Sequence, residues 1–319
     1  MSGLHEQDAG QGADRLALGP GTRLLVIAPH PDDETLATGG LLQQALEKGA
    51  AISVFMLTHG DNNPWPQRWL EKRWQIGTDD RRRWGARRMG ESRQALARLG
   101  MPDDILVSPG WPDMGLTGML IEHGAAMRQR MTAHLDGFRP NLVILPALGD
   151  GHPDHSAAHL LTLAALAGQP GRVDCFEYLV HGKPSGAEVV SLKLGPQQLE
   201  RKREAVLAYQ SQVTLSRGRL LRLVTGTEHY QCLAEPAADS PAVMPWKVPA
   251  MLHGFLEVLL HGDGETWCAR VPASGWIPDV LESGASGPRP RYFKLRTRWR
   301  SPWIFDHWGW RGLGRSGSE

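Results

Sequence analysis

The chain has 319 residues, 41% of them hydrophobic and 22% charged, with a formal net charge of +1. That is enough material for one large or two modest domains with a buried core, and the near-neutral balance excludes a dedicated nucleic-acid binder. Cys175, Cys232 and Cys268 are too scattered for a disulfide framework or a thiolate metal site, which fits a reducing compartment, and no apolar run reaches the roughly 20 residues that span a bilayer.

Residues 1–20 are polar and Gly-rich, lack the apolar core of a secretion signal, and read as a flexible N-terminal tail. Leu24-Leu25-Val26-Ile27-Ala28 then reads as a buried strand delivering His30, Asp32, Asp33 and Glu34 to the point where a helix should begin. A helix follows over residues 34–48, with Gly49 as its stop, and a second buried strand over 51–58. Strand, helix, strand in this order predicts a parallel pair with a right-handed crossover. Residues 59–81 form a long polar segment containing Trp65, Trp69 and Trp74, expected as a lid or substrate wall, with aromatic packing against the domain as the alternative.

Helical pattern returns over 82–99, a short strand over 105–107, a turn over 110–115 and a helix over 120–135. Pro140-Asn141-Leu142-Val143-Ile144-Leu145-Pro146 is the next buried strand. It too ends in a polar cluster, Gly149-Asp150-Gly151-His152-Pro153-Asp154-His155-Ser156, before an apolar helix over 157–166 in which His159 reads as a surface residue or an outer support for the cluster. A strand over 172–180 and a charged helix over 197–208 complete this part. Composition shifts beyond about Ala234, which divides the chain into a domain over 21–234 and a C-terminal accessory region over 235–319. The fold expected is α/β and Rossmann-like, a mostly parallel sheet flanked by helices, with a C-terminal extension of mixed or β character.

In such a sheet the carboxyl ends of the strands line the ligand crevice, so the two histidine-acid clusters fall on one edge. The acidic trio could serve only as a helix start. Alternatively His30 and Asp33, completed from the second cluster, make the three protein ligands of a catalytic metal site. Asp32 is then placed to take a proton from the attacking water, His152 to donate a proton or stabilise an oxyanion, and Asp154 to hold an imidazole in its tautomer.

Ala28-Pro29-His30-Pro31-Asp32-Asp33-Glu34 together with His152-Pro153-Asp154-His155 resembles the LmbE-like, or PIG-L, superfamily of zinc-dependent de-N-acetylases acting on N-acetylglucosamine conjugates. The resemblance implies His30, Asp33 and His155 as ligands of one Zn2+ per chain, with Fe2+ or another divalent metal as alternatives. It implies Asp32 as general base and His152 at the oxyanion. It extends to Arg88-Met89-Gly90-Glu91 and Pro112-Asp113, whose Arg88 and Asp113 would contact sugar hydroxyls, and to Tyr209-Gln210-Ser211-Gln212; Met114 departs from the family's Pro-Asp-Gly turn. The expected activity is removal of the N-acetyl group from an N-acetylhexosamine-containing small molecule or glycolipid in glycoconjugate biosynthesis. The expected location is cytoplasmic, extending to the inner face of the membrane. A magnesium-dependent phosphoester hydrolase built on the acidic trio and a non-catalytic carbohydrate or glycolipid module are the alternatives. At the C-terminus, residues 289–319 interleave bases with aromatics, reading either as a peripheral membrane contact or as an edge strand whose Lys294, Arg296, Arg298 and Arg300 form a solvated face.

Overall fold

The computed structural model describes residues 16–182, 188–233, 251, 254–271, 291–298 and 309–313. Strands β1 (Arg23–Ala28), β2 (Ala51–Met56), β3 (Leu106–Val107), β4 (Leu142–Pro146) and β5 (Asp174–Tyr178) are parallel, and β6 (Val189–Lys193) and β7 (Thr227–Cys232) close one edge antiparallel. The order is β3-β2-β1-β4-β5-β7-β6. From β1 the chain runs outward to β2 and β3, then returns to place β4 on the other side of β1. The crevice between β1 and β4 is therefore the topological switch point, where doubly wound sheets bind ligands.

The apolar runs of these strands are explained by cover on both faces. Along β1, Leu24, Val26 and Ala28 join one core cluster, while Leu25 and Ile27 join the other, as a period of two requires. The first face is covered by α1 (Asp33–Glu47), α3 (Thr78–Arg98) and α6 (Pro196–Val206), the second by α4 (Leu116–Phe138) and α5 (Pro153–Leu166). A second, antiparallel sheet in the order β11-β10-β8-β9 is made by β8 (Leu256–Gly262), β9 (Glu265–Arg270), β10 (Tyr292–Thr297) and β11 (Arg311–Gly312). Leu259, Tyr292 and Trp310 enter the cluster of α4 and α5, which docks this sheet on that helix layer.

Several expectations are revised. The supposed loop over 59–81 contains α2 (Pro64–Glu71), disguised by Pro64 and Pro66, which a helix tolerates in its first turn because those N–H groups lack intrahelical partners anyway. A further helix, α7 (Gln210–Leu223), and the strands β6 and β7 have no clear sequence signal. β10 is flanked by β8 and β11 rather than lying at an edge, and its Lys294 is buried. His159 is buried and its Nδ1 lies 3.1 Å from the Pro146 carbonyl, so it supports the end of β4 instead of facing solvent. Leu16 is packed into the first core cluster, inside the stretch expected as tail. Most of the basic and aromatic C-terminal stretch, including Trp299, Trp303 and Trp308, lies outside the described residues.

One buried carboxylate ties the antiparallel edge to the helix that leaves the crevice. Glu228 on β7 accepts from Gly40 N (2.6 Å) and Leu41 N (2.9 Å) of α1, from Lys202 Nζ (2.6 Å) of α6 and from Tyr230 Oη (2.7 Å). Removing one partner of a buried ion pair strands the other, so Glu228→Ala should cost about 3–5 kcal/mol in urea unfolding. A loss below about 1 kcal/mol would contradict this role.

Candidate active site

The turn after β1 is strained and held. Asp32 has φ 117°, a conformation that costs a residue with a Cβ about 1–3 kcal/mol unless its surroundings impose it. Its N–H donates to Glu34 Oε2 (3.0 Å), and the Tyr209 hydroxyl fixes Glu34 by donating to Oε1 (2.6 Å) while accepting from Thr35 Oγ1 at 2.8 Å. From the other side Arg88 donates through Nη2 to the Pro31 carbonyl (2.5 Å) and through Nη1 to the Gly60 carbonyl (2.9 Å). Gly60, at φ +62°, leaves that guanidinium its space, since a Cβ there would overlap it. Arg88 Nη2 also lies 3.4 Å from Asp32 Oδ2. Burial pushes the Asp32 carboxyl up, Arg88 opposes it and Asp33 and Glu34 add to it, with the balance at about 7. Burial likewise raises Glu34, to about 6, against the hydrogen bond from Tyr209.

Asp33 is the hub of the cluster. Its Oδ2 accepts the His30 N–H (2.9 Å) and lies 3.2 Å from His30 Nδ1 and 3.1 Å from His155 Nε2. Burial would raise Asp33, but His155 and His30 outweigh it and hold the carboxyl well below the usual range. The far nitrogen of His30, Nε2, faces Asp113 Oδ1 and Asp154 Oδ2, each at 3.3 Å. Asp154 is fixed by the N–H groups of Met114 (2.7 Å) and Leu116 (3.1 Å) at the start of α4, and Asp113 Oδ2 by that of Asn62 (2.8 Å). His155 Nδ1 lies 3.3 Å from Asp150 Oδ2. Burial pulls the His155 pKa down, yet Asp33 and Asp150 raise it to about 9. Asp150 is held in turn by the N–H groups of His152 (3.0 Å), Val180 (2.9 Å) and His181 (3.0 Å).

His152 caps α5: its Nδ1 accepts the Asp154 N–H at 3.2 Å, so in the neutral ring the proton sits on Nε2. Burial and the neighbouring imidazoles keep its pKa well below the usual histidine value. The rings of His30, His152 and His155 stand 4.5–5.3 Å apart between centroids, and one ring nitrogen from each lies within 4.8 Å of the others.

All eight residues singled out in the sequence, His30, Asp32, Asp33, Arg88, Asp113, His152, Asp154 and His155, therefore meet at the switch point. Arg88 and Asp113, expected on the sugar, are buried and directed at Asp32 and His30. Asp150, His181, Glu34 and Tyr209 take parts that were not foreseen. The signal for His181 is its place just past the end of β5, the fifth parallel strand to open on this edge; Tyr209 belongs to a quoted motif, but nothing in it points to Glu34, 175 residues away.

The donors fit a divalent metal ion. Both nitrogens of the fully buried His155 ring lack a hydrogen bond although carboxylates stand 3.1 and 3.3 Å away, an arrangement that costs energy unless something other than a proton lies between the groups. Imidazole and carboxylate together suit borderline divalent metals.

Residues 25–166 match the family described as PIG-L: GlcNAc-PI de-N-acetylase, and the crevice with both histidine-acid clusters lies within that match. That match spans 142 of the 319 residues, just under half of the chain. Among its relatives is 1D-myo-inositol 2-acetamido-2-deoxy-alpha-D-glucopyranoside deacetylase of Mycobacterium sp. (strain JLS), 35% identical over 173 residues, 50% of this chain and 55% of the relative. The chain therefore spans about half the length of such relatives at this level of identity. The protein of the same name from Mycolicibacterium smegmatis is 26% identical over 84% of this chain and 92% of its own length. Among solved structures, the conserved protein TT1542 from Thermus thermophilus has a TM-score of 0.52 at 28% identity, covering 67% of this chain and 95% of that one.

Tyr209→Phe deletes the hydroxyl that satisfies Glu34 and should lower stability by about 1–3 kcal/mol in urea unfolding, the cost of an unpaired buried acceptor. Unchanged stability would show that Tyr209 does not hold the turn.

Proposed function

We propose that this protein is a zinc-dependent de-N-acetylase that hydrolyses the acetamide of an N-acetylhexosamine-containing small molecule or glycolipid. The observation that carries the reading is Asp33 Oδ2 set between His30 and His155, with Asp32 beside it on a strained turn. His30, Asp33 and His155 would hold the ion. Bound there, zinc supplies Lewis acidity toward the acetamide carbonyl and makes water a better nucleophile near neutral pH.

The chain's own groups supply the rest. Asp32 takes the proton of the attacking water, a task that a carboxylate titrating near 7 performs well at neutral pH. His152, with Nδ1 committed to the Asp154 N–H, presents Nε2–H as a hydrogen-bond donor to the developing oxyanion. As the C–N bond breaks, Asp32 returns its proton to the amine, so one water and one amide become acetate and the free amino sugar. Asp113 and Asp154 orient His30, Asp150 orients His155, and Arg88 sets the base. Clustered imidazoles suit magnesium poorly, which counts against the phosphoester reading.

The relatives named for an inositol-linked acetamido sugar support an amino-sugar glycoside as substrate. We extend the proposal to a deacetylase domain over 21–234 with an accessory region over 235–319. No helix among the described residues is long and apolar enough to cross a membrane, which is compatible with a cytoplasmic enzyme reaching lipid-linked sugars at the inner face.

Acetate release from an N-acetylglucosaminide should fall by at least about 100-fold in Asp32→Asn and in His155→Ala. Stripping the metal should abolish it, and added zinc should restore it. Full activity in either variant, or in metal-free protein, would overturn the proposal.

A further inference from the structure

We propose that α2 and α7 together form a docking face for an anionic lipid bilayer, beside the mouth of the site. α2 packs against α7, and α2 with the segment just after it carries the largest exposed aromatics among the described residues. Trp65, Trp69 and Trp74 are 57%, 67% and 77% exposed, with Leu215 of α7 at 48%. Two of these rings, Trp65 and Trp74, flank one arginine. The Arg68 guanidinium lies 5.0 Å from the Trp65 ring and 5.5 Å from the Trp74 ring, and its Nε donates to the Trp74 carbonyl at 2.9 Å. Stacking of this kind fixes a cation among the aromatics where it remains open to an anion.

Positive charge is concentrated in α7 and in the segment that runs from α2 into the start of α3. Over residues 64–83 six bases stand against three acids, and α7 adds Arg217, Arg219 and Arg222 with no acid. The net charge of these two segments is thus +6, whereas the whole chain carries +1, so the rest of the molecule is acidic. All three arginines of α7 are exposed. Tryptophan rings favour the headgroup level of a bilayer and guanidinium groups favour anionic lipid phosphates, and this surface offers both.

Both helices are anchored to the site. Asn62, two residues before α2, donates to Asp113, which lies 3.3 Å from the His30 ring, and α7 begins directly after Tyr209, which fixes Glu34. A bilayer seated here would bring headgroups to the crevice. This inference refines the membrane-contact part of the functional reading and moves it away from the C-terminal stretch. Its readout is binding without hydrolysis, so its failure leaves the deacetylase reading standing, and loss of deacetylase activity leaves it standing in turn.

The test is co-sedimentation of the full chain with phosphatidylcholine vesicles, with and without phosphatidylglycerol, alongside Trp65→Ser/Trp69→Ser and Arg217→Gln/Arg219→Gln variants. The altered side chains are exposed, so unchanged unfolding transitions are expected and confirm folded variants. Binding should require phosphatidylglycerol, weaken with salt, and drop by roughly fivefold for each arginine replaced and at least about tenfold for the tryptophan pair. In the wild-type protein, lipids brominated on their acyl chains should quench tryptophan emission. Absence of vesicle binding, equal binding to both vesicle types, or undiminished binding by the tryptophan variant would overturn the inference. So would a concentration-dependent dimer that the same variant abolishes, since the face would then be covered by a second copy.

Discussion

One carboxylate oxygen carries the organisation of this site. Asp33 Oδ2 is shared by the His30 backbone N–H, the His30 ring and the His155 ring, so it joins the end of β1 to the start of α5 across the switch point of the sheet. The two elements lie far apart in sequence, and the parallel order that puts β4 beside β1 is what lets one side chain reach both. An arrangement of buried imidazoles around a shared acid is expensive as it stands. A divalent cation would turn that expense into binding energy, which is why the same geometry reads as a metal centre.

Next to this hub, adjacent carboxylates are pushed in opposite directions. Asp33 is held ionised by two imidazoles, while at Asp32 burial and the charges of Asp33 and Glu34 outweigh Arg88 and lift the carboxyl to about 7. Separating two neighbouring acids by environment is a recognised route to distinct chemical roles in one site. The strained turn that carries Asp32 is held by remote residues: Tyr209 through Glu34 on one side, Arg88 through Pro31 and Gly60 on the other. Arg88 and Tyr209 therefore belong to the base as much as Asp32 does.

Much of this was legible in the chain because the signals were local. Buried runs such as Leu24 to Ala28 and Leu142 to Pro146 announce parallel strands, and each delivers its polar cluster within a few residues. What stayed hidden was whatever depended on a distant partner or on ambiguous punctuation. The prolines of α2 looked like loop, the alternating bases of β10 looked like a solvated edge, and nothing near Glu34 pointed to Tyr209. Arg88 and Asp113 show a different limit. Their motifs were found, but the contacts they make with His30 and Asp32 come from packing that the motif does not display.

The most direct test is titration of zinc into metal-free protein, comparing the wild type with Asp33→Ala. If Asp33 is the shared ligand, the wild type should take up a single ion per chain tightly, and the variant should bind at least about 100-fold more weakly while remaining folded. Equal affinity in the two proteins would contradict the account.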